Sequence, residues 1–492
     1  MSLVAKQSFV NILSICLALL LGAINTLYLY PNELGEEYHG LVISILVFSN
    51  LIQPFISLGL QHAIIRYFSS IKSQLERDRL FWFSMWLPLL LIVFGGLCLL
   101  LNHKHFISWL MNENEIFGTY LWMILGIAIA TAYFEILYNW SRVQLKTVFG
   151  NFLKELYPRL VIFLLLLSYV LTWIDFSEFL LILFGAYYFR LLLIISFNLS
   201  IHIPRFSLRL PNKCKEILRY SFLIFLSAVA ATYNLDIDKA QINHFLGNQI
   251  VAYYSVALYI AAVIEIPFRS LSQIVSPLVA KAINTRNKVQ LKSLLTKSAD
   301  SQLIVSGFLF VLVLINIEEL YQLVSQPGYA TALGVVFIVS FGKLYSASLG
   351  CINLIMTNSK YYVYVFWFSI ASAVLAIILN IYFIQWYGMF GAAYATLIVM
   401  IITNSLKLLL LAIKFEMVPY SKNTLAILIL IGLSFFVFYF IGLDFNPIQN
   451  IAIQSLILSL LFFFTVLKFK LSSDLIQFYN DFKNKVLNPK MK

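Results

Sequence analysis

"YSFLIFLSAVAATYNLDIDKAQINHFL", residues 220–246, is apolar for half its length and then places two acids and a lysine within four positions. As a helix rising ~1.5 Å per residue it extends ~40 Å, enough to cross a bilayer. Charge at the centre of a bilayer costs ~2.5 kcal/mol or more per residue, so Asp236, Asp238 and Lys239 each need a partner, a wet cavity or a route to the interface. The rest of the chain identifies the solvent.

Only 11% of the 492 residues are charged and 61% are hydrophobic, with a mean hydropathy of +0.87, so most of the chain cannot face water. It is read as an all-α polytopic membrane protein. Cys16, Cys98, Cys214 and Cys351 form no CxxC pair and frame neither a disulfide scaffold nor a zinc site. No metal or cofactor is expected. The first apolar run, "SFVNILSICLALLLGAINTLYLY" (8–30), is too long for a cleaved signal and is expected to be retained.

Apolar stretches of about 20 residues give fourteen expected helices, at 7–30, 40–65, 80–101, 116–140, 157–174, 178–200, 219–246, 250–275, 301–324, 329–356, 361–384, 388–413, 423–443 and 450–468. If the spans are right, alternate loops should collect lysine and arginine. The loops at 66–79, 141–159, 201–219 and 276–300 are basic, and Lys360, the 414–422 loop and the tail continue the series. The opposite loops carry Glu33, Glu36, Glu37, Glu113, Glu115, Asp175, Glu178, Glu318, Glu319 and Asp444, against Lys104 alone. Both termini are therefore expected in the cytoplasm. The net charge of +12 records this asymmetry and contact with anionic membrane lipids, and calls for no nucleic acid. In the tail, Leu475, Phe478, Tyr479, Phe482 and Val486 share a helical face beside lysines, as in an interfacial helix or a frayed basic end. No loop is long enough to hold an extramembrane catalytic domain, so no enzyme is expected.

An internal repeat runs through the chain at an offset of 212 or 213. Ser8-Phe9 and Ser14 recur as Ser221-Phe222 and Ser227, and Leu34-Gly35 recurs as Leu246-Gly247. Pro54-Phe55-Ile56-Ser57-Leu58 recurs as Pro267-Phe268-Arg269-Ser270-Leu271. Six helices per repeat gives both halves one orientation, so they should pair about an axis along the membrane normal. The expected organisation is an N-lobe (1–200), a cytoplasmic linker (201–218), a C-lobe (219–413), helices 13 and 14 (414–468) and a cytoplasmic amphipathic tail (469–492).

Three stretches resemble the polysaccharide flippases of the Wzx type, within the multidrug/oligosaccharidyl-lipid/polysaccharide exporter superfamily. "ELGEEYHGLVISILVFSNLIQPFISLGLQHAIIRYF" (33–68) resembles the family's first outer turn and second helix. "DKAQINHFLGNQIVAYYSVA" (238–257) resembles its D-x(8)-G turn and V-G-x-Y-S pattern, and "YGMFGAAYAT" (387–396) its G-x-x-GAA-x-AT entry to helix 12. Ala252 stands where the family carries glycine, and Gly40 occupies the repeat-equivalent place. The resemblance implies two six-helix lobes that open alternately to either side, with helices 1, 2, 7 and 8 lining a central cavity. The implied cargo is an undecaprenyl-diphosphate-linked oligosaccharide, made on the cytoplasmic face of a bacterial cytoplasmic membrane by glycosyltransferases and passed to a glycan polymerase outside. Such a cargo needs cationic or donor groups for diphosphate, and amides and rings for sugar.

Eight ionisable side chains within the expected spans stand out: Glu135, Arg190, Asp236, Asp238, Lys239, Glu265, Arg269 and Lys343. Glu135 and Arg269 lie close enough to helix ends to snorkel. Glu265 and Arg269 are spaced i,i+4 and can pair, while Pro267 between them marks a hinge or a packing kink, as Pro54 does in the first repeat. Arg190 and Lys343 lie mid-helix outside the four cavity helices. Each is read as paired to an acid or carbonyl in its own lobe, the rival being a contact to diphosphate. Arg66, beside Gln61 and His62, is placed for first capture of a head group or as a positive-inside anchor. At 100° per residue, Asn234, Asp238 and Gln241 share one stripe of helix 7, and Asp236, Lys239 and Asn243 share another. Asp236 and Lys239 can neutralise each other, so Asp238 must find its partner elsewhere. Asn25, its repeat equivalent, joins Asn11, Asn50 and Gln53 in an amide-rich wall for sugar or for interhelical hydrogen bonds.

The expected function is alternating-access flipping of a lipid-linked oligosaccharide for O-antigen, capsule or exopolysaccharide synthesis. Asp238 and Glu265 are candidates for coupling to H+ or Na+. A multidrug or other lipid exporter of the same superfamily is the nearest rival, but those usually have twelve spans. A lipid II flippase has fourteen, yet its cavity is rich in arginine and helix 1 here has none. A membrane-embedded glycan polymerase or ligase is disfavoured by the short outer loops.

Overall fold

A computed structural model describes residues 3–101, 115–144, 146–324, 326–440, 445–472 and 476, and among them every regular element is helical. Fourteen membrane segments follow in order. The first seven are α1 (Leu3–Ile24, continued as a π-helix Asn25–Leu34), α2 (Glu36–Ser57, resumed as Leu60–Phe68), α3 (Gln74–Leu101), α4 (Glu115–Val143), α5 (Val148–Asn151, a π turn Phe152–Leu156, then Tyr157–Val170), α6 (Phe176–Ile201) and α7 (Cys214–Leu246). The remainder are α8 (Asn248–Ala262, a 3-10 turn Val263–Glu265, then Ile266–Asn284), α9 (Lys288–Ile315), α10 (Leu333–Ser348, entered through a 3-10 turn Pro327–Ala332), α11 (Tyr362–Tyr387), α12 (Met389–Phe415), α13 (Lys422–Tyr439) and α14 (Pro447–Lys468). Thirteen are long and apolar enough to span. The remaining one, α5, reaches ~34 Å over 148–170 only when its π turn is counted.

Several boundaries differ from the hydropathy pattern, and for one reason: a helix does not stop where its apolar face does. α9 starts at Lys288 instead of residue 301, because α8 and α9 both continue as polar helix around a short turn at 285–287. What hydropathy presents as a 25-residue basic loop is mostly helix. The apolar run expected at 329–356 is broken at Gly350 (φ +56), where a Cβ would stand 2.6 Å from the Ala299 nitrogen; a short helix, Ile352–Thr357, follows. Apart from residue 476, the tail expected to form an interfacial helix lies outside the described residues beyond 472.

The repeat is visible in the backbone. Gly35 (φ +82) and Gly247 (φ +86) take the same left-handed extended conformation between the first and second helix of each repeat, a region open mainly to glycine. Pro54 and Pro267 both sit at interruptions. α2 loses its pattern at Leu58-Gly59, where both residues have positive φ and the Leu58 N–H caps back to the Pro54 carbonyl. α8 tightens into the 3-10 turn just before Pro267, whose missing N–H cannot continue an α-helical ladder.

The chain folds as two compact units, Met1–Ala252 and Tyr253–Lys492. In the first, Leu41, Val42 and Ile45 of α2 pack with Ile124 and Ile127 of α4, Leu166 of α5 and Phe179 of α6. A second cluster gathers Ile64, Phe134, Trp140, Ile194 and Ile217. α7, which the repeat groups with the second six helices, packs in this unit against α2. Two glycines permit that approach. A Cβ at Gly40 would lie 1.8 Å from the Asn248 carbonyl oxygen, and one at Gly59 would lie 2.5 Å from that of Ser221. Small residues at crossing points are how membrane helices gain close packing without a hydrophobic driving force. In the second unit α9 is the enclosed helix. Its neighbour α13 is docked by Asp300, which accepts from Ser421 (2.7 Å) and Thr424 (3.0 Å). At the α11–α12 turn, Gly391 lies against the Phe383 carbonyl, again too close for any side chain.

Candidate functional site

The midspan of the first unit carries polar groups on the facing sides of α2 and α7. Asp236 and Lys239 form an ion pair at 2.6 Å, one turn apart on α7. Asn50 of α2 donates to the Asp236 carboxylate at 3.5 Å. Lys239 also donates to the Leu235 carbonyl at 3.3 Å. Below and above them the helices meet through Val47, Leu51 and Ala240. The Asp236/Lys239/Asn243 stripe is therefore the one turned to α2. Asp238, 7% exposed, is buried on another side of α7 and accepts the backbone N–H of Lys239 at 2.8 Å.

Burial separates the predicted amides. Asn50 and Asn234 are exposed and Gln53 is half-buried, its amide donating to Ser57 at 3.3 Å. Exposed amides at bilayer depth are unfavourable in lipid and mark a wet face. Of the two roles open to it, Asn25 takes the interhelical one: it is 2% exposed and donates to the Arg159 carbonyl at 2.8 Å. It therefore ties the start of the α1 π segment to α5 and does not line a cavity wall. Gln241 is half-buried, and Gln61 is buried at 6% exposure.

At the end of this unit where acidic residues gather, α2 and the α7–α8 turn are fastened by a chain of amides. Asn243 donates to Ser44 (2.9 Å) and to Asn248 (2.8 Å), and Asn248 donates to Glu37 (2.9 Å). Gln249 donates to Glu36. Together with the Gly40–Asn248 contact, this closes the acidic end of the α2–α7 pair.

The opposite, basic end is built differently. Arg66 is exposed, with its guanidinium carbon 4.2 Å from the Tyr220 ring centre and 5.8 Å from that of Tyr67. Among the described residues no carboxylate pairs with it. A planar guanidinium stacked on tyrosine keeps its edge donors available for a phosphate. Glu135 of α4 is held by Lys154 at 2.7 Å, from the π turn of α5. Arg190 meets no acid among the described residues; it stacks on Phe134 (4.2 Å) and Tyr187 (4.7 Å) and donates to the Thr131 hydroxyl at 3.3 Å. Ring faces supply the stabilisation expected from an acid or carbonyl.

In the second unit Glu265 ends the 3-10 turn of α8 and pairs with Lys343 of α10 at 2.9 Å. The expected i,i+4 partner, Arg269, has a side chain outside the described residues. Ser306 fixes the same turn by donating to the Ile264 carbonyl at 2.8 Å. Two further ionisable residues in the helices are not among the eight singled out from the sequence. Asp300 belongs by hydropathy to a loop, yet it lies within α9; Lys407 is half-buried in α12. Lys407 has no ion-pair partner among the described residues. Its signal is simply a lysine within a 27-residue apolar helix.

Solved structures share the fold, two of which are informative here. A structure titled "Lipid II flippase MurJ, inward closed conformation" matches with a TM-score of 0.69 and 18% identity, over 96% of this chain and 100% of that one. An inward-facing multidrug resistance MATE family transporter of the MOP superfamily matches with a TM-score of 0.58 and 15% identity, over 82% of this chain and 98% of that one. No curated protein matches the chain. With both helical repeats and a polar midspan in place, the family model that matches residues 4–283 completes the assignment: the chain belongs to the polysaccharide biosynthesis protein family.

Proposed function

We propose that the protein flips an undecaprenyl-diphosphate-linked oligosaccharide across a bacterial cytoplasmic membrane by alternating access, with its basic loops and both termini in the cytoplasm. The observation that carries this reading is the polar seam between α2 and α7, where Asn50 is exposed and Gln53, Asp236 and Lys239 are half-buried at bilayer depth. Membership in a polysaccharide biosynthesis family and the flippase fold support a lipid-linked cargo. α13 and α14 favour it over multidrug export, since the drug transporter's structure covers 82% of the chain and the flippase's 96%.

In this mechanism the diphosphate first meets Arg66 at the basic end, where the guanidinium is exposed and pairs with no carboxylate among the described residues. The sugars then exchange water for the amides of α2 and α7. The fastened acidic end must open to release them while the basic end closes. Binding of H+ or Na+ at Asp238, with Glu265 released from Lys343 in the same cycle, is the proposed drive; glycosyltransferases supply the cargo and a glycan polymerase receives it.

The test is a deletion strain in which the location of lipid-linked repeat units is followed. Units stranded on the cytoplasmic side support flipping. Unpolymerised units already accessible outside would show that the step lost is polymerisation.

A further inference from the structure

The segment joining α6 to α7 carries chemistry that flipping does not use. Residues 202–213 form no helix, yet they are pinned to the protein. Asp78, 1% exposed at the start of α3, bonds the His202 ring (2.8 Å) and accepts from the Arg205 N–H (3.2 Å). Glu76 accepts from the Asn212 N–H at 3.1 Å. Phe206 stands edge-on to Trp82 with ring centres 5.0 Å apart, and edge-on to Trp86 at 6.1 Å. Held this way, the strap leaves Ile203, Leu208 and Leu210 at 74%, 72% and 60% exposure, with Arg205 and Arg209 exposed between them and Lys213 exposed after them. Large apolar and basic side chains interleaved at the end of a membrane bundle are the composition of a surface that meets an anionic interface.

Beneath the strap lie two cavities. One of about 440 Å³ is lined by Trp82, Met85, Tyr133 and Ile195 and roofed by His202 and Ile203. The other, of about 260 Å³, lies between Trp86 and Leu90 of α3 and Leu208 and Leu210 of the strap. The larger is within the size of small-ligand pockets, ~300–1,000 Å³, the smaller lies just below it, and the walls of both are almost wholly apolar. The indole N–H groups of Trp82 and Trp86 are buried and meet no acceptor among the described residues, a costly state that an ester carbonyl would relieve.

We propose that the strap and the cavities it roofs bind one anionic phospholipid, its acyl chains in the cavities and its phosphate between Arg205 and Arg209. The acids at this end point the same way. Asp78 and Glu76 are engaged by the strap backbone and His202, and among the described residues neither arginine side chain pairs with a carboxylate. The headgroup is thus selected by charge, and the chains by two adjacent apolar volumes.

The full-length protein in detergent is titrated with phosphatidylglycerol or phosphatidylethanolamine carrying brominated acyl chains, and tryptophan quenching is measured. Comparison with Trp82→Phe/Trp86→Phe isolates the two reporters. Phosphatidylglycerol should quench them at roughly tenfold lower concentration than phosphatidylethanolamine. Arg205→Gln/Arg209→Gln, at exposed positions, should abolish that preference while leaving the quenching at saturation. Ile195→Phe, which narrows the larger cavity without adding a tryptophan, should weaken the quenching of Trp82 by both lipids. Equal quenching by the two lipids in the wild type would overturn the proposal. So would displacement of the brominated lipid by undecaprenyl phosphate more readily than by unlabelled phosphatidylglycerol, which would give the cavities to the carrier lipid.

Discussion

Lys343 of α10 reaches Glu265 of α8 at 2.9 Å, at the residue where α8 leaves its 3-10 turn. The pair joins a mid-helix cation to the carboxylate beside Pro267, and so ties the one irregular turn of α8 to a straight neighbour. The side chains are 20% and 35% exposed, so solvent screens part of their attraction. Removing one member still leaves the other charged in an apolar setting.

Lys343→Met alone should therefore lower the melting temperature of the purified protein and reduce glycan export. Adding Glu265→Gln should restore part of the loss. Melting of the wild type, the two single variants and the double variant gives a coupling of about 0.5–3 kcal/mol, toward the low end because the pair is partly exposed. Strictly additive losses would mean that the two residues act independently.

Arg190 separates two roles by substitution. Its charge rests on Phe134 and Tyr187 with no acid beside it among the described residues, so its worth is packing and ring contact. Arg190→Met should keep the melting temperature within a few degrees and leave export near the wild-type level, because an apolar side chain of similar length replaces a buried cation at little cost. Arg190→Lys, which keeps charge and loses the flat stacking surface, should do worse than methionine in the melt. A stable Arg190→Met protein that exports no glycan would instead make Arg190 a contact to the diphosphate.

Asp236 and Asp238 lie two residues apart and predict opposite outcomes. Asp236 is neutralised by Lys239 and accepts a hydrogen bond from Asn50, so Asp236→Asn should cost stability through the stranded lysine, and Asp236→Asn/Lys239→Gln should recover it. Asp238→Asn should leave membrane levels unchanged and reduce export by about an order of magnitude, as expected where an intramembrane acid binds the driving ion. Export measured beside immunoblots of the membrane fraction distinguishes them. Normal export in Asp238→Asn would remove that residue from coupling.

The membrane fold is legible in charge and hydropathy because both act over whole segments: each span averages some 20 residues of apolar signal, and each loop sums several lysines. The backbone breaks are legible where glycine or proline causes them, as at Gly35, Gly247, Pro54 and Pro267. Interactions decided by a single contact are hidden. Nothing in the sequence around Asn25 says that its amide turns to the Arg159 carbonyl instead of inward, since an asparagine serves either end. Glu135 is open to snorkelling on sequence grounds; the π turn of α5 brings Lys154 to it, and a π turn has no composition that distinguishes it from a helix. Gly59 lies in the quoted motif as part of "LGL", but its reason, the Ser221 carbonyl 2.5 Å from where a Cβ would stand, belongs to α7.

Gly40 and Gly59 mark the two ends of the α2–α7 contact, and they predict reciprocal effects. Gly40→Ala places a methyl group where the Asn248 carbonyl oxygen now lies, 1.8 Å away, so the α7–α8 turn must move off α2. The Glu37–Asn248 and Asn243–Ser44 bonds are then lost together. Overpacking of this kind costs ~1–3 kcal/mol, which at ~1.4 kcal/mol per decade moves a conformational balance by roughly tenfold. The shift should favour the conformer in which the acidic end is open. With the native cysteines replaced and Gln249→Cys as reporter, labelling of intact cells by a membrane-impermeant maleimide should speed up several-fold in Gly40→Ala. Gly59→Ala acts at the basic end, where φ is +71 and the Phe225 nitrogen is 2.9 Å from the new Cβ, and should leave that labelling unchanged or slow it. Equal labelling in all three backgrounds would mean that the amide chain at the acidic end is a fixed seam of the first unit and not a gate.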